Sequence, residues 1–323
     1  MTMHDAPSPG RQPPSPPHKH MAWVPGGEFL MGSNDFYPEE RPVHPATVNG
    51  FWMDVYPVTN AAFRRFVKAT GYRTVAERAL NPADFPGADP AVLVPGALVF
   101  RSPGYPVSLH DVRQWWAYVP SACWRHPEGL GSTLDGRERH PVVHVAYADA
   151  LAYSTWSGKA LPTEAEWECA ARGGLTGAIY AWGDEFAPKG QMLANTWQGA
   201  FPWQNLKTDG YEGTSPVGIF PSNPFGLYDM TGNVWEWTCD VFRPHPAGSP
   251  QVSCCSPDVR TGQPQADHKM TEQPAAIPAM VIKGGSYLCA PNYCLRYRPA
   301  ARQGQEIDTA TSHIGFRCVV RTT

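Results

Sequence analysis

Lys283-Gly-Gly-Ser-Tyr-Leu-Cys-Ala-Pro-Asn-Tyr-Cys-Leu-Arg-Tyr-Arg298 is the stretch around which the chain is organised. Its two cysteines, Cys289 and Cys294, are separated by Ala-Pro-Asn-Tyr; two glycines precede them, and aromatics and arginines follow. Thiolate is the soft nucleophile and soft metal ligand of proteins. Two of them in one turn can close a disulfide, exchange with a substrate thiol, or grip a metal. Zinc asks for four ligands, and no His or third Cys lies between them. Cu(I), soft and content with few ligands, suits the pair better. A short loop also satisfies disulfide geometry, so the spacing alone leaves both readings open.

Composition narrows the setting. The chain has 323 residues, with 30 Gly and 35 Pro. That is rich in turns but short of a disordered bias. Abundant Trp, Tyr and Phe predict a core of large aromatics between loops. A net charge of -3 gives no electrostatic case for nucleic acid or an anionic membrane, and no window has the length of a membrane span. Met1 to His20 is Pro-rich without an apolar h-region, which reads as a disordered tail rather than a signal peptide. Eight cysteines in a chain read as cytoplasmic argue against a disulfide scaffold and for reactive, metal-binding or simply buried thiols.

Working outward, Met21 to Ser33 predicts two short strands around Pro25-Gly26-Gly27, and Thr47 to Val55 another. Tyr56-Pro-Val-Thr-Asn60 leads into a helix capped by Thr59 or Asn60 and ended by Gly71, with Phe63, Phe66 and Val67 on one face. Glu77 to Gly104 reads as surface loop. Trp115 and Trp116 return to the core, and Trp124 to Gly129 is loop whose polar groups face a groove. His140 and His144 flank Pro141-Val-Val143, which favours a strand; there they sit about 13 Å apart, too far to share a metal. Asp149 to Trp156 predicts a second helix, stopped by Gly158. A third begins at a Thr163/Glu166 capping box and ends at Gly173. Capping and the helix dipole account for Glu164, Glu166 and Glu168 without a catalytic role. Tyr180 to Asp184 is a tight turn. Arg243 to Ala279, with the vicinal Cys254 and Cys255, reads as a surface excursion. Met280 to Gly285 and His313 to Arg321 predict closing strands.

The run from Lys283 to Arg302, with Gly315-Phe-Arg-Cys318, resembles the C-terminal signature of the formylglycine-generating enzyme (sulfatase-modifying factor) family, particularly its actinobacterial type. The Pro-Gly-Gly strand, the Pro-Val-Thr-Asn helix start, Ala194 to Pro202, Thr208 to Val217 and Asn223 to Trp237 resemble it too, in order, over Met21 to Arg321. The resemblance implies one domain over 21–321 with a loop-rich α+β, C-type-lectin-like fold. It implies aerobic conversion of a cysteine in a Cys-x-Pro-x-Arg segment of an unfolded sulfatase to Cα-formylglycine. Cys289 and Cys294 would hold Cu(I), the substrate thiol would join them, and O2 would be co-substrate. Ser286 matches an active-site serine and Trp235 a tryptophan near the oxygen pocket; a turn hydrogen bond and a core position are their plainer readings.

Two structural calcium ions are also implied. One takes Asn195, the Thr196 carbonyl, Asp209 and the Tyr211 carbonyl. The other takes Asp229, Glu236 and groups at Gly232, Asn233 and Val234. Oxygen-rich loops suit calcium, although Asx-type turns use the same residues. Positions that carry structural disulfide partners in animal members are Ala171 and Pro299 here, which leaves Cys318 a buried thiol; Cys169 reads as a small core residue. The sulfatase polypeptide is the expected partner of a monomer. Thiol-disulfide exchange without metal and a non-catalytic lectin-like module are the competing function classes.

Overall fold

Of the three α-helices among the described residues, those over Asn60–Thr70 and Glu164–Arg172 begin and end at the caps their sequence provides. In chain order, the strands and helices of the computed structural model are β1 (Met21–Val24), β2 (Gly27–Met31), β3 (His44–Val48), β4 (Phe51–Asp54), α1 (Asn60–Thr70), β5 (Gly96–Phe100), β6 (Trp116–Pro120), α2 (Tyr147–Trp156), α3 (Glu164–Arg172), β7 (Trp235–Val241), β8 (Ala279–Lys283), β9 (Arg302–Glu306), β10 (Ile314–Gly315) and β11 (Val319–Arg321). The structure describes residues 15–84, 93–243 and 277–322, with Gly87 and Asp89. Thr59 Oγ1 accepts from Ala62 N at 3.2 Å, and Gly71 leaves α1 left-handed. Thr163 and Glu166 form the reciprocal cap of α3, and Gly173 ends it at φ 59°. α2 starts two residues before the expected Asp149, whose carboxylate reaches back to Ala146 N at 2.9 Å.

The strands depart from the sequence expectation in four places. β1 and β2 flank the Pro25-Gly26-Gly27 turn but pair elsewhere, β1 with β4 and β2 with β3. The single strand expected over Thr47 to Val55 is divided at Asn49-Gly50 into β3 and β4. A side chain at Gly26 would lie 2.5 Å from Gly50 N, so the two turns pack backbone to backbone. The loop expected from Glu77 to Gly104 contains β5, which pairs with β6 and buries Ala97 and Val99; five residues are too short for a visible period. The closing strand expected over His313 to Arg321 is two strands. β10 pairs parallel with β7, and β11 antiparallel with β4.

The break between β10 and β11 sends Phe316, Arg317 and Cys318 inward, each fully buried. Phe316 meets Phe63 of α1 and Tyr153 of α2. Trp124, Trp235 and Trp237 join the same cluster, which reaches Cys289 and Cys294. Aromatics of this size bury 150–250 Å2 each, which is how a chain with short strands and long loops assembles a core. A second cluster packs Trp167 of α3 on Phe51, Met53 and Leu227.

Charges are buried as well. Arg317 pairs with Glu236, Arg302 with Glu164, Arg298 with Glu40, and Lys283 with Glu168. Glu166 is a cap that also binds Arg321. Glu164 and Glu168 are thus interior ion-pair members, beyond the capping role expected of them. Residues 1–14 of the expected tail, and Cys254 and Cys255, lie outside the described residues.

Candidate functional site

β8 delivers Lys283 into the interior, and two glycines then turn the chain. Gly285 has φ 69°, and a side chain there would lie 2.8 Å from the Arg296 carbonyl, so the outgoing and returning limbs of the loop touch. Ser286 is buried at the base. Its N–H points at Cys289 Sγ (3.4 Å), its hydroxyl accepts from Leu288 N (3.2 Å), and its carbonyl accepts from Cys289 N (2.9 Å). Cys294 N donates to Ala290 O at 2.9 Å, closing a helical turn that brings the second sulfur round. Trp197 N holds the Cys289 carbonyl from outside the loop.

The two sulfurs stand 3.2 Å apart. A disulfide is about 2.05 Å, so these are free thiols. Both are buried. The Cys289 thiol is pushed well up, by burial first and by its neighbour next. Cys294 moves the other way, to about 7: the Cys289 thiol donates to it, burial opposes the shift, and Arg296 adds positive charge. Of the two, Cys294 is therefore the more acidic sulfur and Cys289 holds its proton more firmly.

Arg296 is the residue whose role sequence reading missed. Its Nη1 lies 3.8 Å from Cys294 Sγ, Nη2 binds Glu39 at 2.6 Å, and the guanidinium lies 3.8 Å over the Tyr37 ring. Tyr37 in turn accepts from Leu295 N at 2.9 Å. Arg296 was visible in the motif; Tyr37 and Glu39, more than 250 residues upstream, carried no local signal.

The sulfurs open into a cavity of about 480 Å3. Ser286 and Trp235 both line it, so the expected site residues converge. Trp115, Phe201 and Tyr293 form one wall, with Phe201 stacked on Tyr293 at 4.5 Å. His313 also lines the cavity, 4.8 Å from the Trp116 ring, with Nδ1 on Thr311 Oγ1 at 2.8 Å. Burial holds its imidazole neutral, at about 3. A buried, aromatic-lined cleft with a thiol pair at its base can take an extended peptide side chain and keep water from it.

The expected calcium residues also gather. In the first set, Asp209 accepts from Thr196 N (3.1 Å) and Tyr211 N (2.9 Å). The Gln198 amide donates to the Thr196 carbonyl, to Thr196 Oγ1 (3.2 Å) and to Asp209 Oδ2 (2.8 Å). Three oxygens converging on one neutral amide NH2 form a donor set that fits a hard cation. Asn195 instead turns its amide to Gly213 O.

In the second set, Glu236 accepts from Trp167 Nε1 and twice from Arg317, leaving one of about four lone-pair sites. Asp229 is pushed up to about 6, chiefly by burial. It is a carboxylate short of positive charge, which also fits a cation. Asn233 spends its side chain on Ser215, and Gly232 N on Gly284 O; Val234 is buried beside them. Among the described residues no three His, Cys, Asp or Glu side chains converge. Both sets depend on backbone and amide oxygens.

His140 and His144 do not sit on a strand. His140 bonds Thr214 Oγ1, and His144 bonds the Pro127 carbonyl, so the pair is divided between two partners. Cys318 is a fully buried thiol, as expected, and Cys169 is a half-buried one within α3. Cys239 is disulfide-bonded, so not every cysteine is a thiol.

The chain matches the family described as the Sulfatase-modifying factor enzyme 1-like domain over residues 6–322. It is 56% identical over 297 residues to the formylglycine-generating enzyme of Mycobacterium tuberculosis, covering 92% of this chain and 96% of that one. It is 44% identical to that of Thermomonospora curvata, covering 95% of each. Among solved structures, PvdO from Pseudomonas aeruginosa aligns with a TM-score of 0.58 at 25% identity, covering 93% of both chains. No helix among the described residues is long and apolar enough to cross a membrane.

Proposed function

The chain belongs to the sulfatase-modifying factor family, and from that premise we propose that it converts a cysteine in a Cys-x-Pro-x-Arg segment of a sulfatase to Cα-formylglycine. The observation that carries this reading is the free thiol pair, 3.2 Å apart at the base of an aromatic cavity. Cys289 and Cys294 are the residues that would hold Cu(I), a soft ion suited to two thiolates. When bound, that ion supplies the activation of dioxygen.

The protein's own groups do the rest. Arg296, 3.8 Å from Cys294 Sγ, eases loss of the proton from that sulfur, and both thiols would give up their protons to hold a cation. Ser286 fixes the Cys289 sulfur through its N–H. Trp235 and the Trp115, Phe201 and Tyr293 wall exclude water and hold the substrate's β-carbon near the sulfurs. Oxidising a –CH2–SH carbon to an aldehyde, with loss of sulfide, withdraws two electrons. Dioxygen going to water takes four, so two external thiols, joining as a disulfide, provide the other two. Calcium at the two oxygen sets is a stiffening element within the same proposal.

The test is a Cys-x-Pro-x-Arg peptide incubated with enzyme, a reducing thiol, air and added copper, and read by mass. Aldehyde that appears only with copper and oxygen supports the reading. Aldehyde that persists in a strong copper chelator removes copper from it. No turnover in any condition leaves the non-catalytic module.

A further inference from the structure

The cavity over the thiol pair is electrostatically one-sided. Among the described residues its lining carries two cations, Arg113 and Arg296, and no carboxylate. Arg113 lies in water: its side chain is 87% exposed and pairs with Asp111. Arg296 does not. Its side chain is 19% exposed, and Nη1 lies 3.8 Å from Cys294 Sγ. His313, the other basic group of the lining, is kept neutral by burial.

A segment far upstream holds Arg296 in place. Glu39 Oε1 accepts from Nη2 at 2.6 Å, and the guanidinium lies 3.8 Å over the Tyr37 ring. The Tyr37 hydroxyl accepts from Leu295 N at 2.9 Å. The ring that carries Arg296 therefore also ties down the residue next to Cys294. Glu40 takes Arg298 in a buried pair, and the Glu39 carbonyl accepts from Arg302 at 3.3 Å. Residues 37–40 thus fasten the chain that leaves Cys294 at Leu295, Arg296, Arg298 and Arg302. One guanidinium is fixed against a buried sulfur by contacts that local sequence does not supply.

The charge count gives this arrangement a consequence. Two cysteines that take up a metal ion do so as thiolates, which brings two negative charges to the floor of the cavity. A monovalent ion cancels one of them, a divalent ion both. A charge left over in a buried site is costly unless it is paired. With Arg296 beside it, the monovalent complex is balanced and the divalent complex carries one positive charge in excess. Glu39 offsets part of the guanidinium charge from the other arm of the fork, where its side chain, 24% exposed, meets water that screens it. Among the described residues no three His, Cys, Asp or Glu side chains converge, so the site also lacks the four ligands that zinc asks for.

We propose that Arg296 sets the charge of the metal ion that the thiol pair accepts, favouring a monovalent over a divalent soft ion, with Tyr37 and Glu39 as the positioning residues that keep it there. This rests on the copper site proposed above and names what decides its selectivity.

The test uses the full chain, reduced, metal-free and under argon. Cu(I) affinity is read by competition with a chromophoric Cu(I) chelator. Cd(II), also soft but divalent, is read the same way, and uptake by the Cys289→Ser chain is subtracted from both as the background of other thiols. Arg296→Gln should bind Cu(I) about tenfold more weakly than the wild type and Cd(II) at least as well. Arg296→Lys, which keeps the charge without the fork, should recover most of the Cu(I) affinity. Glu39→Gln removes the opposing charge but keeps an oxygen for Nη2, so its ratio of Cu(I) to Cd(II) affinity should not fall below that of the wild type. A merely structural arginine would move both ions together, since each needs both sulfurs in place. Affinities that fall together in Arg296→Gln overturn the proposal, as does a Cu(I) affinity within about twofold of the wild type. Should that variant not fold, a lowered ratio in Glu39→Gln overturns it by itself. A wild-type chain that takes up no Cu(I) sinks the copper reading and this proposal with it. Wild-type uptake with an unmoved ratio in Arg296→Gln sinks the selectivity alone.

Discussion

At the scale of single residues, the thiol pair works through asymmetry. Cys294 has a guanidinium within 3.8 Å, whereas Cys289 has only backbone N–H and its partner sulfur. Cys289→Ser and Cys294→Ser should each abolish aldehyde formation while far-UV dichroism stays native; a fully active single variant would contradict a paired role. Lys283, in the same stretch, has a structural task. Its ammonium is fully buried, 2.9 Å from Glu168 and 3.6 Å from Glu164. Burial works to protonate Glu168, but Lys283 and Arg172 win and hold it at about 2. Lys283→Met removes one cation and leaves the carboxylates short of charge. The expected loss is about 3–5 kcal/mol, measured as a lower midpoint in urea; an unchanged midpoint would mean Arg172 and Arg302 suffice.

At the scale of elements, the helices were legible because their signals are local. A threonine cap, a glutamate three residues on and a closing glycine all fall within α3 and its flanks. The strands were less so. β3 and β4 were read as one although Asn49-Gly50 is itself a turn signal, and β10 and β11 because Phe-Arg-Cys gives no hint that Arg317 turns inward. The oxygen-rich loops carry little regular structure, and their order rests on contacts such as Asp209 with Thr196 and Tyr211. If calcium occupies those sets, chelation should lower the melting temperature, and calcium alone should restore it. An unchanged melt, with no metal in the purified protein, would assign the loops to hydrogen bonds only.

At the scale of the whole molecule, burial of titratable groups sets the response to acid. His144 and His313 are held at about 4 and about 3, in each case by burial first, against about 6.5 when unfolded. A depressed value gives stability that is intact above the unfolded value and is lost as pH falls toward the folded one. Asp149 and Asp229, raised to about 6 by burial, act oppositely: their contribution is full below about 3.8 and fades as pH rises through 6. His144→Asn tests the first effect, since asparagine tolerates the φ of 58° at that position. Its unfolding free energy should change less between about pH 7 and about pH 5 than that of the wild type. Parallel curves would show that His144 does not contribute.

The sequence alone determined the cysteine pair, the helix caps and the ordered series of signatures that marks the family, because each is written in residues close together along the chain. The tertiary structure decided what surrounds the pair. It put Tyr37 and Glu39 against Arg296 and matched Lys283, Arg302 and Arg317 with their carboxylates. Those pairings join residues tens to hundreds of positions apart, where neither spacing nor periodicity leaves a trace. They exist because a loop-rich chain buries its charges and aromatics by long-range contact.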